Sequence, residues 1–157
     1  MIHQLNMNGK DKVEVAIERF KTFEPPEGYF LAFSGGKDSV VIKALADMAG
    51  VKYDAHYNVT SVDPPELVKF VKSFEDVHFD RPLDKDGNQI TMWNLIPKKK
   101  MPPTRIARYC CEHLKESSGE GRFVATGVRW AESVKRKNRG GVGNGREKVT
   151  AHDKLRS

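Results

Sequence analysis

Tyr29-Phe30-Leu31-Ala32-Phe33-Ser34-Gly35-Gly36-Lys37-Asp38-Ser39 runs from an apolar, aromatic-rich pentapeptide directly into a small polar turn. Residues 29–33, bounded by Gly28 and Ser34, predict a buried strand. Residues 38–48 then place Val40, Val41, Ala44, Leu45 and Met48 on one helical face, and Gly50 marks a C-terminal stop. A strand that feeds a helix through Ser-Gly-Gly leaves unpaired N–H donors at the helix start. Their partial positive charge favours an anion there. Gly35 and Gly36 remove side chains that would hold a phosphate at a distance, and they permit left-handed backbone angles. Ser34 and Ser39 add hydroxyl donors, and Lys37 adds a full positive charge. Asp38 fits either a helix cap or a magnesium ion held against phosphates. The plain alternative is a Gly-rich turn that only starts a helix.

Outward from this stretch, residues 12–23 put Val13, Ala16, Ile17, Phe20 and Phe23 at helical spacing, ended by Pro25-Pro26. Residues 51–60 predict a second strand. Pro64-Pro65-Glu66 opens a helix over 66–74, with proline where its missing N–H costs least. Residues 77–79 predict a third strand, 84–88 a loop, and 91–96 a helical turn or two. Residues 104–117 predict a helix with Thr104 as its N-cap, and 122–127 a fourth strand. Strands alternating with helices predict an α/β fold, a three-layer sandwich with a mostly parallel, Rossmann-like central sheet. Ligands of such sheets sit beyond the carboxyl ends of the strands. Residues 34–39, 58–63 and 127–129 all fall at that edge. The chain divides into an N-terminal helix (1–28), a main α/β domain that carries the Gly-rich turn (29–133) and a basic, Gly-rich tail (134–157) expected to be mobile.

The 157 residues suit one domain. No run of 18 apolar residues predicts a membrane span. The N-terminus lacks the basic-then-apolar build of a signal peptide, so a cytoplasmic location is the default expectation. The net charge of +6 is local: nine Lys or Arg and three acids lie from Arg129 onward, and the remainder balances at eighteen of each. The basic tail and Lys98-Lys99-Lys100 could contact nucleic acid, but charge runs are usually solvated and no aromatic interleaving supports base stacking. The two cysteines, Cys110 and Cys111, are adjacent. A disulfide between neighbours is strained, so the pair reads as thiols or as part of a metal site.

Ser-Gly-Gly-Lys-Asp-Ser after an apolar strand resembles the PP-loop of the N-type ATP pyrophosphatase and adenine-nucleotide α-hydrolase superfamily. Thr126-Gly127-Val128-Arg129-Trp130-Ala131-Glu132-Ser133 is similar to a segment of the phosphoadenosine phosphosulfate (PAPS) reductase family. That resemblance implies that Gly127 lets the backbone approach a nucleotide and that Arg129 meets its phosphates or sulfate, a role suited to a bidentate guanidinium. The alternative for Arg129 is an exposed strand-end residue. Residues 59–66 resemble the family's segment after the second strand. This places Asn58, Val59 or Thr60 near an adenine, while Asp63 reads equally as a helix-start acid. The resemblance covers about 29–133 and is closest to short members found in phages and mobile elements.

It implies an adenine nucleotide as ligand: PAPS, adenosine phosphosulfate (APS) or ATP, with Mg2+ as a further candidate. In the iron–sulfur branch a Cys-Cys pair such as Cys110-Cys111 supplies two of four cluster ligands. Two cysteines cannot complete a cluster within this chain, and the plainer reading has one thiol buried and one near the site. His113 reads as solvent-facing or capping. The family's reductases use a cysteine in a Glu-Cys-Gly motif, with a thioredoxin-like reductant. That motif has no counterpart here, so reduction by this chain alone is not expected. The competing functions are an ATP pyrophosphatase that adenylates a substrate, and a non-catalytic nucleotide-binding module with a nucleic-acid-binding tail. An exposed sheet edge makes a homodimer a further expectation.

Overall fold

The Asp11 side chain accepts a hydrogen bond from the Val13 N–H at 3.3 Å and starts α1 (Lys12–Thr22). This is a first-turn donor with no partner inside the helix. The structure, a computed structural model, describes residues 9, 11–115, 118–119 and 121–127. After α1 come β1 (Tyr29–Ala32), α2 (Lys37–Ala49), β2 (Tyr53–Asn58), α3 (Pro65–Lys72), β3 (Val77–Asp80), α4 (Met92–Lys99), α5 (Tyr109–Leu114) and β4 (Val124–Ala125). The strands form one parallel sheet in the order β3-β2-β1-β4. The predicted three-layer α/β architecture is what the chain adopts. No helix among the described residues is long and apolar enough to cross a membrane.

Strand side chains alternate between faces, and the register makes the two faces of this sheet unlike. Leu31 lies opposite Ala55 and Ala125, and Ala55 opposite Val77. With Tyr29, Phe33 and Tyr57 they meet Phe20 of α1, Ala46 and Ala49 of α2 and Val71 of α3 in the main core. The other face carries Phe30, Asp54, His56, Asn58, His78 and Asp80. Over it lies the segment that ends α5. The Asn58 Nδ2 donates to the Lys115 carbonyl at 3.2 Å, Ser118 Oγ donates to Asn58 Oδ1, and Gly119 abuts the Phe30 ring. Parallel strands covered on both sides usually read as apolar runs; here half of β2 is polar.

Two elements differ from expectation. The helix expected over 104–117 is only α5. Thr104 does not cap it: its Oγ1 accepts from the Ala107 N–H at 2.9 Å, and its own N–H bonds back to the Ala107 carbonyl, closing a local turn. Ile106 is 98 % exposed and finds no core to enter. Conversely, α4 runs longer than expected. Thr91 and Asn94 cap it reciprocally, at 3.2 Å and 2.8 Å, with asparagine in the place usually held by Glu or Gln.

Lys43 of α2 is a buried cation, 8 % exposed. Its Nζ lies 2.7 Å from Asp76, 3.2 Å from Asp47 and 2.9 Å from the Tyr53 hydroxyl. Burial alone would lower its pKa, but the bonds to Asp76, Tyr53 and Asp47 outweigh it and keep the ammonium charged. Burial likewise pushes Asp76 up, and the bond from Lys43 overrides it, so the carboxyl ends below its usual range. Lys43→Met should cost about 1–2 kcal/mol in urea unfolding, discounted from a fully buried pair because both carboxylates are half exposed. A lowered folded pKa means that the stabilisation is present above the unfolded carboxylate value and is lost as pH falls through the folded one. The acid-side decline in stability should therefore be shallower in Lys43→Met than in the wild type.

Candidate functional site

β1 ends at Ala32, and three residues turn the chain into α2. Gly35 takes the left-handed conformation, φ 73°, and Gly36 is extended at φ −76° as the N-cap, with no side-chain cap bond. The hydroxyls tie the turn together. Ser39 Oγ donates to the Gly36 carbonyl at 2.8 Å, Ser34 Oγ donates to Ser39 Oγ at 3.3 Å, and the Gly36 N–H reaches Ser34 Oγ at a loose 3.4 Å. Lys37 is exposed, with no carboxylate partner among the described residues. Asp38 is half-buried in the first turn of α2.

A cavity of about 330 Å3 opens above this turn. Gly36, Lys37 and Asp38 line one side, and Thr126 and Gly127, just past β4, line the other. The β4 end touches α2 backbone to backbone: a Cβ on Gly127 would sit 2.8 Å from the Asp38 carbonyl oxygen. Thr126 Oγ1 is shut off from solvent and has no hydrogen-bond partner among the described residues. The two glycines of the turn divide the work. Gly36 faces the cavity, whereas a Cβ on Gly35 would meet Leu67 Cδ1 at 2.7 Å and Val71 Cγ2 at 2.8 Å on α3. The closeness that Gly35 permits is therefore to α3.

A second cavity, about 200 Å3, shares Ala32 and Ser34 with the first and holds His56, Asn58, Thr60 and Lys115. Asn58 and Thr60 thus reach the cleft, but both are already engaged: Asn58 with Lys115 and Ser118, and Thr60 Oγ1 with Asp63 at 2.6 Å. The Val59 N–H is bonded to the Asp80 carbonyl. Asp63 also accepts from the Tyr57 hydroxyl at 2.6 Å, so it organises the cleft wall in addition to preceding α3. Burial, then the Asp63 contact, pushes the Tyr57 phenol far above its usual value, so it stays a neutral donor. Ser61 takes a left-handed φ of 65°, and its Oγ accepts from the Met92 N–H, tying the start of α4 to this wall. A third cavity continues past Tyr57 and Asp63 toward Lys69, Lys72 and Arg81.

Cys110 and Cys111 line none of these cavities. Both thiols are half-buried, rather than divided between core and site. Cys110 packs on the Leu95, Tyr109 and Leu114 cluster, and Cys111 Sγ accepts from the Arg108 guanidinium at 3.4 Å. Among the described residues no three His, Cys, Asp or Glu groups are placed to hold a metal. His113 is not solvent-facing: it is half-buried, and its Nε2 is out of solvent without a partner among the described residues. Arg129 and the tail 134–157 lie outside the described residues. Lys98 and Lys99 end α4, where cations complement the helix dipole. Sequence reasoning did not single out His56 and Asp80, whose side chains bond at 2.9 Å. The alternation in β2 was the only local signal.

No family model, curated protein or solved structure matches the chain.

Proposed function

We propose that this cleft binds an adenine nucleotide, with ATP or a sulfonucleotide (APS or PAPS) as ligand, in a PAPS-reductase-like domain of the PP-loop superfamily acting in the cytoplasm. The observation that carries the reading is the first cavity. Gly36 and Lys37 at the start of α2 face Thr126 and Gly127 across a cavity of about 330 Å3, and Lys37 has no carboxylate partner among the described residues. Helix-start donors and a lysine suit the oxygens of a polyphosphate. The adjoining cavity, beside Asn58 and Thr60, would take the nucleoside. Asp38 fits a magnesium ion held mainly by the phosphates, since such an ion needs only one or two carboxylates. Bound there, it would screen charge on the phosphate oxygens.

Within this reading, ATP chemistry is favoured over thiol-driven reduction. Lys37 and the turn amides would stabilise departing pyrophosphate by fixed electrostatics, while Cys110 and Cys111 line no part of the cleft. Titration calorimetry of the full chain with ATP and Mg2+, APS and PAPS tests the reading. One of the three should bind with a micromolar dissociation constant. Failure of all three at millimolar concentration would sink it.

A further inference from the structure

We infer that the third cavity binds a small organic acid with a flat apolar body, its anionic group held by Lys69, Lys72 and Arg81. The inference stands apart from the nucleotide reading, which is carried by the cavity at the turn. Helical and strand periodicity build the site. Pro65, Val68, Lys69 and Lys72 are spaced i, i+3, i+4 and i+7, so they form one stripe of α3. All four line a cavity of about 470 Å3. Across from them lie Tyr57 and Val59 at the end of β2, and Phe79 and Arg81 at the end of β3. Every second residue of a strand shares a face, and Tyr57 is the register partner of Phe79. The Val59 N–H bonds to the Asp80 carbonyl, so the ladder continues past the strand ends and keeps Val59 and Arg81 on that face.

The charge of this lining is lopsided. Lys69, Lys72 and Arg81 are exposed, and none has a carboxylate partner among the described residues. The dipole of α3 accounts for lysines in its last turn, but not for Arg81, which follows β3. The acid in the lining is Asp63, and its Oδ2 already accepts from the Tyr57 and Thr60 hydroxyls at 2.6 Å each. Three cations against one carboxylate leave a net charge of +2, which favours an anion. Asp63 and Tyr57 also line the second cavity, so repulsion from Asp63 directs the anionic group away from that end and toward the cations.

The rest of the ligand meets apolar surface. The Tyr57 and Phe79 rings pack edge to face, with centroids 5.3 Å apart and planes at 61°, and Val59 and Val68 flank them. A flat ring laid on this floor buries area against both aromatics. The remaining polar side chain of the lining, Ser61, is engaged: its Oγ donates to the Thr60 carbonyl and accepts from the Met92 N–H. A ligand with many polar groups, such as a nucleoside, would leave them unpaired here, and unpaired buried polar groups weaken binding. Recognition therefore divides into an acid read by three cations and a body read by apolar contact.

The test uses 2-naphthoate as probe, with its neutral counterpart 2-naphthamide and inorganic phosphate as controls. Calorimetry of the full chain reads affinity, and amide NMR shifts read location. We expect 2-naphthoate to bind with a submillimolar dissociation constant and to shift the amides of Tyr57, Val68 and Phe79. Naphthamide and phosphate should each bind about tenfold or more weakly, since each lacks one half of the recognition. The double variant Lys69→Gln, Lys72→Gln and the single variant Arg81→Gln should each lose about fivefold for naphthoate and keep naphthamide within about twofold. All three side chains are exposed, so Tm should hold. No naphthoate binding at millimolar concentration overturns the inference. Equal affinity for naphthamide overturns it by making the cavity an apolar trough, and equal affinity for phosphate by making it a bare anion site. Displacement of naphthoate by ATP and Mg2+ also overturns it, because the cavity would then belong to the nucleotide cleft.

Discussion

Gly35→Ala is expected to destabilise the fold by about 2–4 kcal/mol. The new Cβ would sit in a left-handed backbone, φ 73°, at a cost of about 1–2 kcal/mol for an L-residue. It would also press on Leu67 Cδ1 at 2.7 Å and Val71 Cγ2 at 2.8 Å, and overpacking of this kind costs about 1–3 kcal/mol. Val71 is fully buried and has no room to yield. Thermal unfolding should show a fall of roughly 5–15 °C in Tm for a chain of this size. Gly36→Ala provides the contrast. Gly36 has an ordinary extended backbone, and its nearest atom to an added Cβ is Ser34 Oγ at 3.4 Å. Its Tm should barely move, while nucleotide affinity should drop because the methyl group enters the cavity. Equal Tm losses in the two variants would contradict the division of roles between the glycines.

Lys37→Ala is expected to weaken nucleotide binding about 10- to 100-fold, with no loss of stability. A charge-assisted hydrogen bond to a phosphate is worth about 1.5–3 kcal/mol, and about 1.4 kcal/mol is a factor of ten in affinity. Lys37 is exposed, has no carboxylate partner among the described residues, and stands in the first turn of α2, where a cation opposes the helix dipole. Its removal should therefore leave unfolding free energy unchanged or raise it by a few tenths of a kcal/mol. Calorimetry at two salt concentrations gives the check. The variant should bind more weakly and with a smaller salt dependence, and Lys37→Arg should recover part of the loss. Unaltered affinity in Lys37→Ala would remove the phosphate from this turn.

The elements that were legible are those written in local chemistry. The apolar run at 29–33, the turn after it and the helical spacing of 38–48 each depend on neighbours within a few residues, as does the left-handed stop at Gly50, φ 67°. Residues 104–117 do not form one helix because Thr104, a good N-cap by residue type, closes a local turn with Ala107 instead. Ile106 met solvent, and only α5 formed. Thr91 and Asn94 hid a capping box behind an unusual residue. The Ser-Gly-Gly-Lys-Asp-Ser turn was readable in full, yet the sequence treated Gly35 and Gly36 as equivalent.

Sequence alone determined the order of strands and helices and the parallel class of the sheet, because these follow from patterns repeating every two or every 3.6 residues. Tertiary structure decided which side chains share the cleft. Asp80 reaches His56 across 24 positions because the β2–β3 register brings Asn58 opposite Asp80 and His56 opposite His78. Gly127 meets Asp38 because β4 lies beside β1. A parallel ladder sets such register through crossovers and helix packing distant in sequence, so no local pattern records it.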